Sequence, residues 1–129
     1  MSVALIVVTH GGIGRELVEA ARVIMGDLPL PTAMIGVGQD STLNDATDSI
    51  RAEIERLESD AGTLVLCDLI GATPCNAACH AVTGRHARVI AGLNLPMLLR
   101  AYNYPSAPLE TLAARCSDSA VAPIAGHGC

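Results

Sequence analysis

Short apolar segments alternate along this chain with longer segments of helical period, and this alternation is the strongest constraint on its fold. Residues 3–8 are apolar at every position, which is typical of a strand covered by helices on both sides. This first segment is followed by Thr9, His10 and two glycines, after which apolar residues recur at helical spacing. Similar segments predict further strands over residues 32–37, 63–67 and 87–91, each followed by a helical region.

Strands that alternate with helices are joined by right-handed crossovers, which produce a mostly parallel sheet with helices on both faces. We therefore expect a small doubly wound α/β domain with strand order 2-1-3-4. Residues 1–116 are predicted to form this domain. Residues 117–129, rich in Ala, Gly, Ser and Pro, are expected to be a flexible tail or an edge strand exchanged with another subunit.

Four helix details follow from the spacing. The helix that opens at Ile13 is predicted to end before Gly26, and the third helix to have Thr73 as its N-cap and Pro74 at its first position. The last helix is predicted to end at about Cys116. The inner face of the first helix is predicted to comprise Ile13, Leu17, Ala20, Ala21 and Ile24.

Charge and composition exclude several classes of protein. The 129 residues include eight Arg, no Lys, no Phe and no Trp, and the formal net charge is −5. The chain thus lacks the basic surface and the aromatic platforms of a nucleic-acid binder. Its apolar segments are far shorter than the roughly 20 residues of a membrane helix, and its start lacks the basic region of a signal peptide, so we expect a cytoplasmic protein without membrane insertion.

The five cysteines are an odd number without the spacing of a small disulfide scaffold, and we expect them to be reduced thiols. Cys75, Cys79 and His80 have helical spacing that could suit a metal. Cysteines in an Ala-rich helix are more often small core residues, so neither a metal nor a cofactor is predicted.

The chemistry is expected where the first and third strands end. Ligands of open α/β sheets bind beyond the carboxyl ends of the strands, where the winding direction reverses. In the order 2-1-3-4 this point lies between the first and third strands, which end at His10 and Asp68. The topology therefore predicts an imidazole beside a carboxylate, which would fix the tautomer of the ring and leave its other nitrogen free as a nucleophile or base.

Two predicted helix N-termini flank this pair and would supply unpaired N–H groups to an anion such as phosphate. The Thr73 hydroxyl could donate to a phosphoryl oxygen, and glycines allow close backbone approach. The predicted phosphate-binding residues are Gly11, Gly12, Gly71, Ala72, Thr73 and Asn76.

Other interpretations stay open at this point. His10 could be a structural hydrogen-bonding residue, and Asp68 could cap its own loop. Residues 11–14 partly match a dinucleotide-binding fingerprint but lack its last glycine and the acidic residue after the second strand. Alternatively, Cys67 or Cys75 could be a nucleophile activated by His10.

Three motifs together carry a family resemblance: residues 9–11 after the first strand, residues 68–76, and residues 92–98. In this order and spacing the chain resembles the mannose-type IIA family of the bacterial phosphoenolpyruvate-dependent sugar phosphotransferase system. The resemblance implies a phosphotransferase component in which the phosphocarrier protein HPr phosphorylates His10, Asp68 orients the imidazole, and the phosphoryl group passes to a IIB component. It also implies a homodimer.

Family members that transport sugar are often fused to a IIB domain through an Ala-Pro-rich linker, whereas this sequence ends at Cys129. We therefore expect either a separate IIB component or a regulatory protein that senses the phosphorylation state. A phosphoryl-donor subunit of a dihydroxyacetone kinase is a further alternative. Leu69, Ile70 and Met97 are candidates for the docking surface, although Met97 is more typical of core packing.

Overall fold

A four-stranded parallel sheet forms the centre of the molecule. The computed structural model describes residues 2–126. The strands are β1 (Ala4–His10), β2 (Thr32–Val37), β3 (Thr63–Cys67) and β4 (Ala87–Ala91), arranged in the order β2-β1-β3-β4. The predicted fold class and strand order are thus confirmed.

Helices cover both faces of the sheet. The helices are α1 (Ile13–Met25), α2 (Leu43–Leu57), α3 (Thr73–Val82), α4 (Leu95–Asn103) and α5 (Leu109–Val121). Helices α1, α4 and α5 contribute to the core on one face of the sheet, and α2 and α3 contribute to the core on the other. Because side chains alternate along a strand, Leu5 and Val7 enter the first core whereas Ile6 and Val8 enter the second.

Both cores are built from aliphatic and small side chains. Tyr102, the largest fully buried side chain, is the exception in the first core, and its hydroxyl lies 2.7 Å from Thr32 Oγ1. This bond satisfies a polar group that would be costly to bury alone. In the second core, Ala77, Ala78 and Ala81 bring α3 close to the sheet, as expected for small core residues.

The inner face of α1 differs from the prediction. Gly14, Val18 and Ala21 are its buried residues, while the side chains of Ile13 and Ile24 are 51% and 60% exposed. Gly14 explains the rotation: a Cβ there would lie 2.7 Å from Val7 Cγ1, so the helix approaches β1 most closely at a residue that a hydrophobic pattern ignores.

Two helix ends are also corrected. The N-cap of α3 is Ala72, which has extended backbone, and Thr73 and Pro74 are the first two helical residues. Helix α5 continues past Cys116 to Val121, so residues 117–121 are helical in this chain instead of extended. Residues 127–129 of the expected tail lie outside the described residues.

Candidate functional site

The central feature of the site is the contact between His10 and Asp68. Asp68 Oδ2 lies 2.8 Å from His10 Nδ1 and also accepts the backbone N–H of His10 at 2.9 Å. The predicted proximity of these two side chains is therefore observed. It arises because β1 and β3 are parallel neighbours in which Val8 pairs with Cys67, so that the next residues of both strands emerge at the same edge.

The carboxylate of Asp68 is held in its charged form. Burial raises the pKa of Asp68, but hydrogen bonds from the backbone and ring of His10, the charge of that ring and the Leu69 N–H together outweigh burial. The pKa of Asp68 consequently lies below its usual value of 3.8. A charged carboxylate only accepts hydrogen bonds, so Nδ1 of His10 carries the proton.

This tautomer leaves Nε2 of His10 as the nitrogen with an available lone pair. The His10 side chain is 50% exposed, and within residues 2–126 Nε2 has no hydrogen-bond partner. Asp68 is 13% exposed and thus lies below the ring, away from solvent. The arrangement presents Nε2 to a visiting molecule while the opposite side of the ring is fixed by Asp68.

The turn after β1 packs against β2. Gly11 has φ +46 and donates its N–H to the Val37 carbonyl at 3.0 Å. Gly36 faces the same turn, and a Cβ at Gly36 would overlap the Gly11 carbonyl oxygen. Two glycines thus allow the turn that follows His10 to lie directly on the neighbouring strand, which the sequence pattern did not reveal.

Thr9 fixes the start of α1 from within the strand. Its side chain is fully buried, and its Oγ1 accepts the Gly14 N–H at 2.8 Å and donates to the His10 carbonyl at 3.2 Å. One buried hydroxyl therefore links both sides of the turn that contains His10. Sequence reasoning missed this role, although a threonine at the end of an otherwise aliphatic strand is a signal for it.

The N-terminus of α3 presents fewer free donors than predicted. The N–H groups of Ala72 and Asn76 donate to the carbonyls of Leu69 and Ala72, and Asn76 Nδ2 donates to the Gly71 carbonyl. Pro74 has no N–H. Helix geometry leaves the N–H groups of Thr73 and Cys75 without intrahelical acceptors, so these two are the donors that an anion could use.

A cleft of about 490 Å³ opens beside His10. The turn after β1 and the end of β2 line it, and it includes Val37, Gly38 and Gln39, which the sequence did not suggest. Leu69 and Ile70 lie outside this lining and are 58% and 80% exposed, whereas Met97 is fully buried. Met97 is therefore a core residue.

A second cavity, of about 600 Å³, has a lining that does not include His10. It lies at the amino ends of β3 and β4, where Arg85 is within 3.6 Å of Glu55. Parallel sheets bind ligands at the opposite, carboxyl ends of their strands. We therefore assign the site to the histidine and not to this cavity.

The cysteines differ from the expectation of reduced thiols. Cys67 and Cys75 form a disulfide whose Cα atoms are 5.3 Å apart, while Cys79 and Cys116 are free and Cys129 lies outside the described residues. The pairing arises because the chain reverses between β3 and α3, which sequence spacing did not reveal. A thiol nucleophile at Cys67 or Cys75, one alternative above, is absent in this state.

The fold and the site together define a class: doubly wound α/β domains with a histidine–carboxylate pair at the point where the winding reverses. Residues 4–115 match the family model EIIA-man, described as the PTS system fructose IIA component. The chain belongs to this family, and the resemblance noted in the sequence is confirmed.

Individual relatives and structures agree. The chain is 30% identical over 119 residues to the PTS system mannose-specific EIIAB component of Escherichia coli (strain K12), which covers 92% of the chain and 33% of that protein. It thus spans about a third of the length of this relative. It is 35% identical over 96 residues to the PTS system sorbose-specific EIIA component of Lacticaseibacillus casei, covering 74% of the chain and 68% of that protein.

Among solved structures, the mannose/sorbose specific IIA subunit of the phosphotransferase system from Enterococcus faecalis superposes with a TM-score of 0.91 at 29% identity. The match covers 100% of this chain and 97% of that one. In the described part of the chain, no helix is sufficiently long and apolar to cross a membrane.

Proposed function

We propose that this chain is a phosphoryl carrier of a sugar phosphotransferase system, with residues 1–116 as its functional domain. In this proposal His10 accepts a phosphoryl group from phosphorylated HPr and passes it to a IIB component. The observation that carries it is the 2.8 Å contact between His10 Nδ1 and Asp68 Oδ2, because it directs the free lone pair of Nε2 toward solvent.

The transfer step needs positioning more than it needs new chemistry. The Nε2 lone pair attacks phosphorus in line, a new N–P bond forms, and the N–P bond to the donor histidine breaks, returning its electron pair to that nitrogen. Positive charge develops on the His10 ring during attack. Asp68 stabilises it through the Nδ1–H bond, and transfer to IIB reverses the same steps.

The transferred oxygens need donors near Nε2. The N–H groups of Gly12, Thr73 and Cys75 and the Thr73 hydroxyl are the proposed donors, since each lies at a helix start next to the strand ends that carry His10 and Asp68. The backbone N–H groups of Gly11, Ala72 and Asn76 are not included in this proposal, because each already donates to a carbonyl.

The partner surface is proposed to include Leu69 and Ile70. These side chains follow Asp68 directly and are the most exposed large apolar residues of that segment. A protein partner that covers them would also exclude water from Nε2 during transfer. The homodimer implied by the resemblance stays part of this proposal.

The names of the relatives support the choice of acceptor. A mannose-specific EIIAB component and a sorbose-specific EIIA component are among the similar proteins, and we therefore propose a IIB component of the mannose or sorbose type as the acceptor. Failure of the loaded protein to pass its label to such a IIB component would favour the alternatives, a regulatory protein or a dihydroxyacetone kinase partner.

The test has two steps. First, the full chain is incubated with phosphoenolpyruvate, enzyme I and HPr, and its intact mass is measured before and after mild acid. One acid-labile phosphoryl group per chain is expected, lost in His10→Ala and retained in the control His80→Ala, whose side chain is exposed on α3. Label on His10→Ala would overturn the assignment. Second, the loaded protein is mixed with a mannose-type IIB component, and transfer of the label is expected.

A further inference from the structure

The segment between β3 and α3 is covalently closed at both ends. Cys67 is the last residue of β3 and fully buried, and Cys75 lies in the first turn of α3 and is 3% exposed. Their disulfide joins residues eight apart in the chain. The disulfide therefore tethers the intervening residues 68–74 to the end of β3.

This segment contains the working parts of the site. Asp68 accepts the hydrogen bond from His10 Nδ1, and the N–H groups of Thr73 and Cys75 are the proposed donors to the phosphoryl oxygens. The other hydrogen bonds assigned to the segment are local, such as Leu69 N–H to Asp68 Oδ1 and Ala72 N–H to the Leu69 carbonyl. The disulfide therefore adds the covalent link that sets the N-terminus of α3 against the strand end.

The geometry points to Cys67 and Cys75 as a positioning pair for phosphoryl transfer: the disulfide holds Asp68 and the first turn of α3 in register with His10. This inference rests on the proposed function. It adds that the oxidation state of Cys67 and Cys75 controls the rate of phosphoryl transfer. Neither cysteine touches phosphorus, because both act through the loop that they close.

Reduction would disturb this register for a packing reason. A dithiol reductant supplies two electrons and two protons, the S–S bond breaks, each sulfur becomes a thiol, and the reductant closes to its own disulfide. Two thiols cannot stay at bonding distance and must separate to van der Waals contact. Cys67 is fixed by its strand neighbours Val8 and Ala91, so the displacement falls on α3 and the loop.

The experiment compares the full chain in oxidised and dithiol-reduced form, with the redox state verified by the mass of two added hydrogens. Single-turnover phosphorylation by phosphorylated HPr is expected to be about tenfold slower after reduction, since small misplacements of reacting groups are costly. Cys67→Ala/Cys75→Ala is expected to be slow in either condition. The control Cys79→Ser, which alters an exposed free thiol on the same helix, is expected to respond like wild type.

A second readout separates positioning from simple stabilisation. The NMR signal of the His10 Nδ1 proton reports its bond to Asp68 and is expected to shift on reduction, at a temperature where both forms are folded. A disulfide that only stabilises the fold would lower the melting temperature on reduction but leave this signal and the transfer rate unchanged, and that result would overturn the inference.

The outcomes distinguish the two proposals. Equal transfer rates in both redox forms would overturn the positioning role and leave the phosphoryl carrier intact. If neither form accepts label, the proposed function fails, and an unshifted Nδ1 signal would then reject the positioning role independently. Two free thiols at Cys67 and Cys75 in protein kept under oxidising conditions would also overturn it.

Discussion

One oxygen of Asp68, Oδ2, accepts two hydrogen bonds from His10, one from the backbone N–H at 2.9 Å and one from ring Nδ1 at 2.8 Å. The other oxygen, Oδ1, accepts the Leu69 N–H at 2.9 Å. The carboxylate thus fixes the strand end, the ring and its own loop at once. Because a single oxygen accepts hydrogen bonds from both the backbone and the ring of His10, the orientation of the imidazole is fixed relative to its own backbone.

Replacement of Asp68 by Asn tests the charge of this contact. Asp68→Asn keeps a carbonyl acceptor but cannot stabilise the positive charge that develops on the ring, so we expect a folded protein that is phosphorylated at least about tenfold more slowly. Rapid-quench measurement with phosphorylated HPr gives the rate. The exposed Asp48→Asn variant is the control, and a wild-type rate in Asp68→Asn would remove Asp68 from the mechanism.

The lowered pKa of Asp68 predicts a pH dependence of stability. A carboxylate whose pKa is lower in the folded than in the unfolded protein contributes stability above its unfolded pKa, near 3.8, and loses it as pH falls through the lower folded value. Urea unfolding at several pH values should therefore give a free-energy difference between wild type and Asp68→Asn that is largest near neutral pH and shrinks below about pH 4. A difference that grows toward acid would contradict this sign.

Gly36 predicts a steric effect on the turn after His10. In Gly36→Ala the new Cβ would overlap the Gly11 carbonyl oxygen, so the turn must move away from β2. We expect a loss of about 1–3 kcal/mol in the free energy of unfolding, together with slower phosphorylation of His10. Gly38→Ala is the stability control because its Cβ would lie 3.7 Å from Ser41 Oγ, an ordinary contact. Equal stability of the two variants would show that the turn tolerates the methyl group.

The buried hydroxyl of Thr9 is expected to contribute to the stability of the protein. Thr9→Val preserves the shape of the side chain but leaves the Gly14 N–H without its acceptor at 2.8 Å, which should cost about 1–2 kcal/mol of unfolding free energy. Thr9→Ser retains the hydroxyl and is expected to lose less. Thermal melts of the three proteins supply the comparison, and a Thr9→Val protein as stable as wild type would argue against the cap.

The free cysteines are expected to differ in reactivity. Cys79 is exposed, whereas burial raises the pKa of Cys116 to about 11 although Arg100 lowers it slightly. Iodoacetamide at pH 8 should therefore label Cys79 rapidly and leave Cys116 protected, because the thiolate is the reactive form. Peptide mapping by mass spectrometry identifies the labelled positions. Fast labelling of Cys116 in folded protein would contradict its buried position.

Particular residues show how much of the fold and of the candidate site could be predicted from the sequence. The strand order and the meeting of His10 with Asp68 follow from parallel topology, since the carboxyl ends of neighbouring strands share one edge. The inner face of α1 was predicted only in part: Ala21 is buried, but Ile13 and Ile24 are exposed, because Gly14, with no side chain to count, makes the closest contact with β1. The roles predicted for the phosphate-binding residues stay predictions.

The sequence by itself determined the order of the elements, the layered α/β architecture and the two side chains that end the central strands, because hydrophobic periodicity and strand-end positions are local properties of the chain. The tertiary structure decided which ring nitrogen of His10 bonds to Asp68, which two cysteines form the disulfide, and that the turn after β1 packs against Gly36. Those outcomes depend on distances and rotamers between segments far apart in sequence, and a local pattern does not encode them.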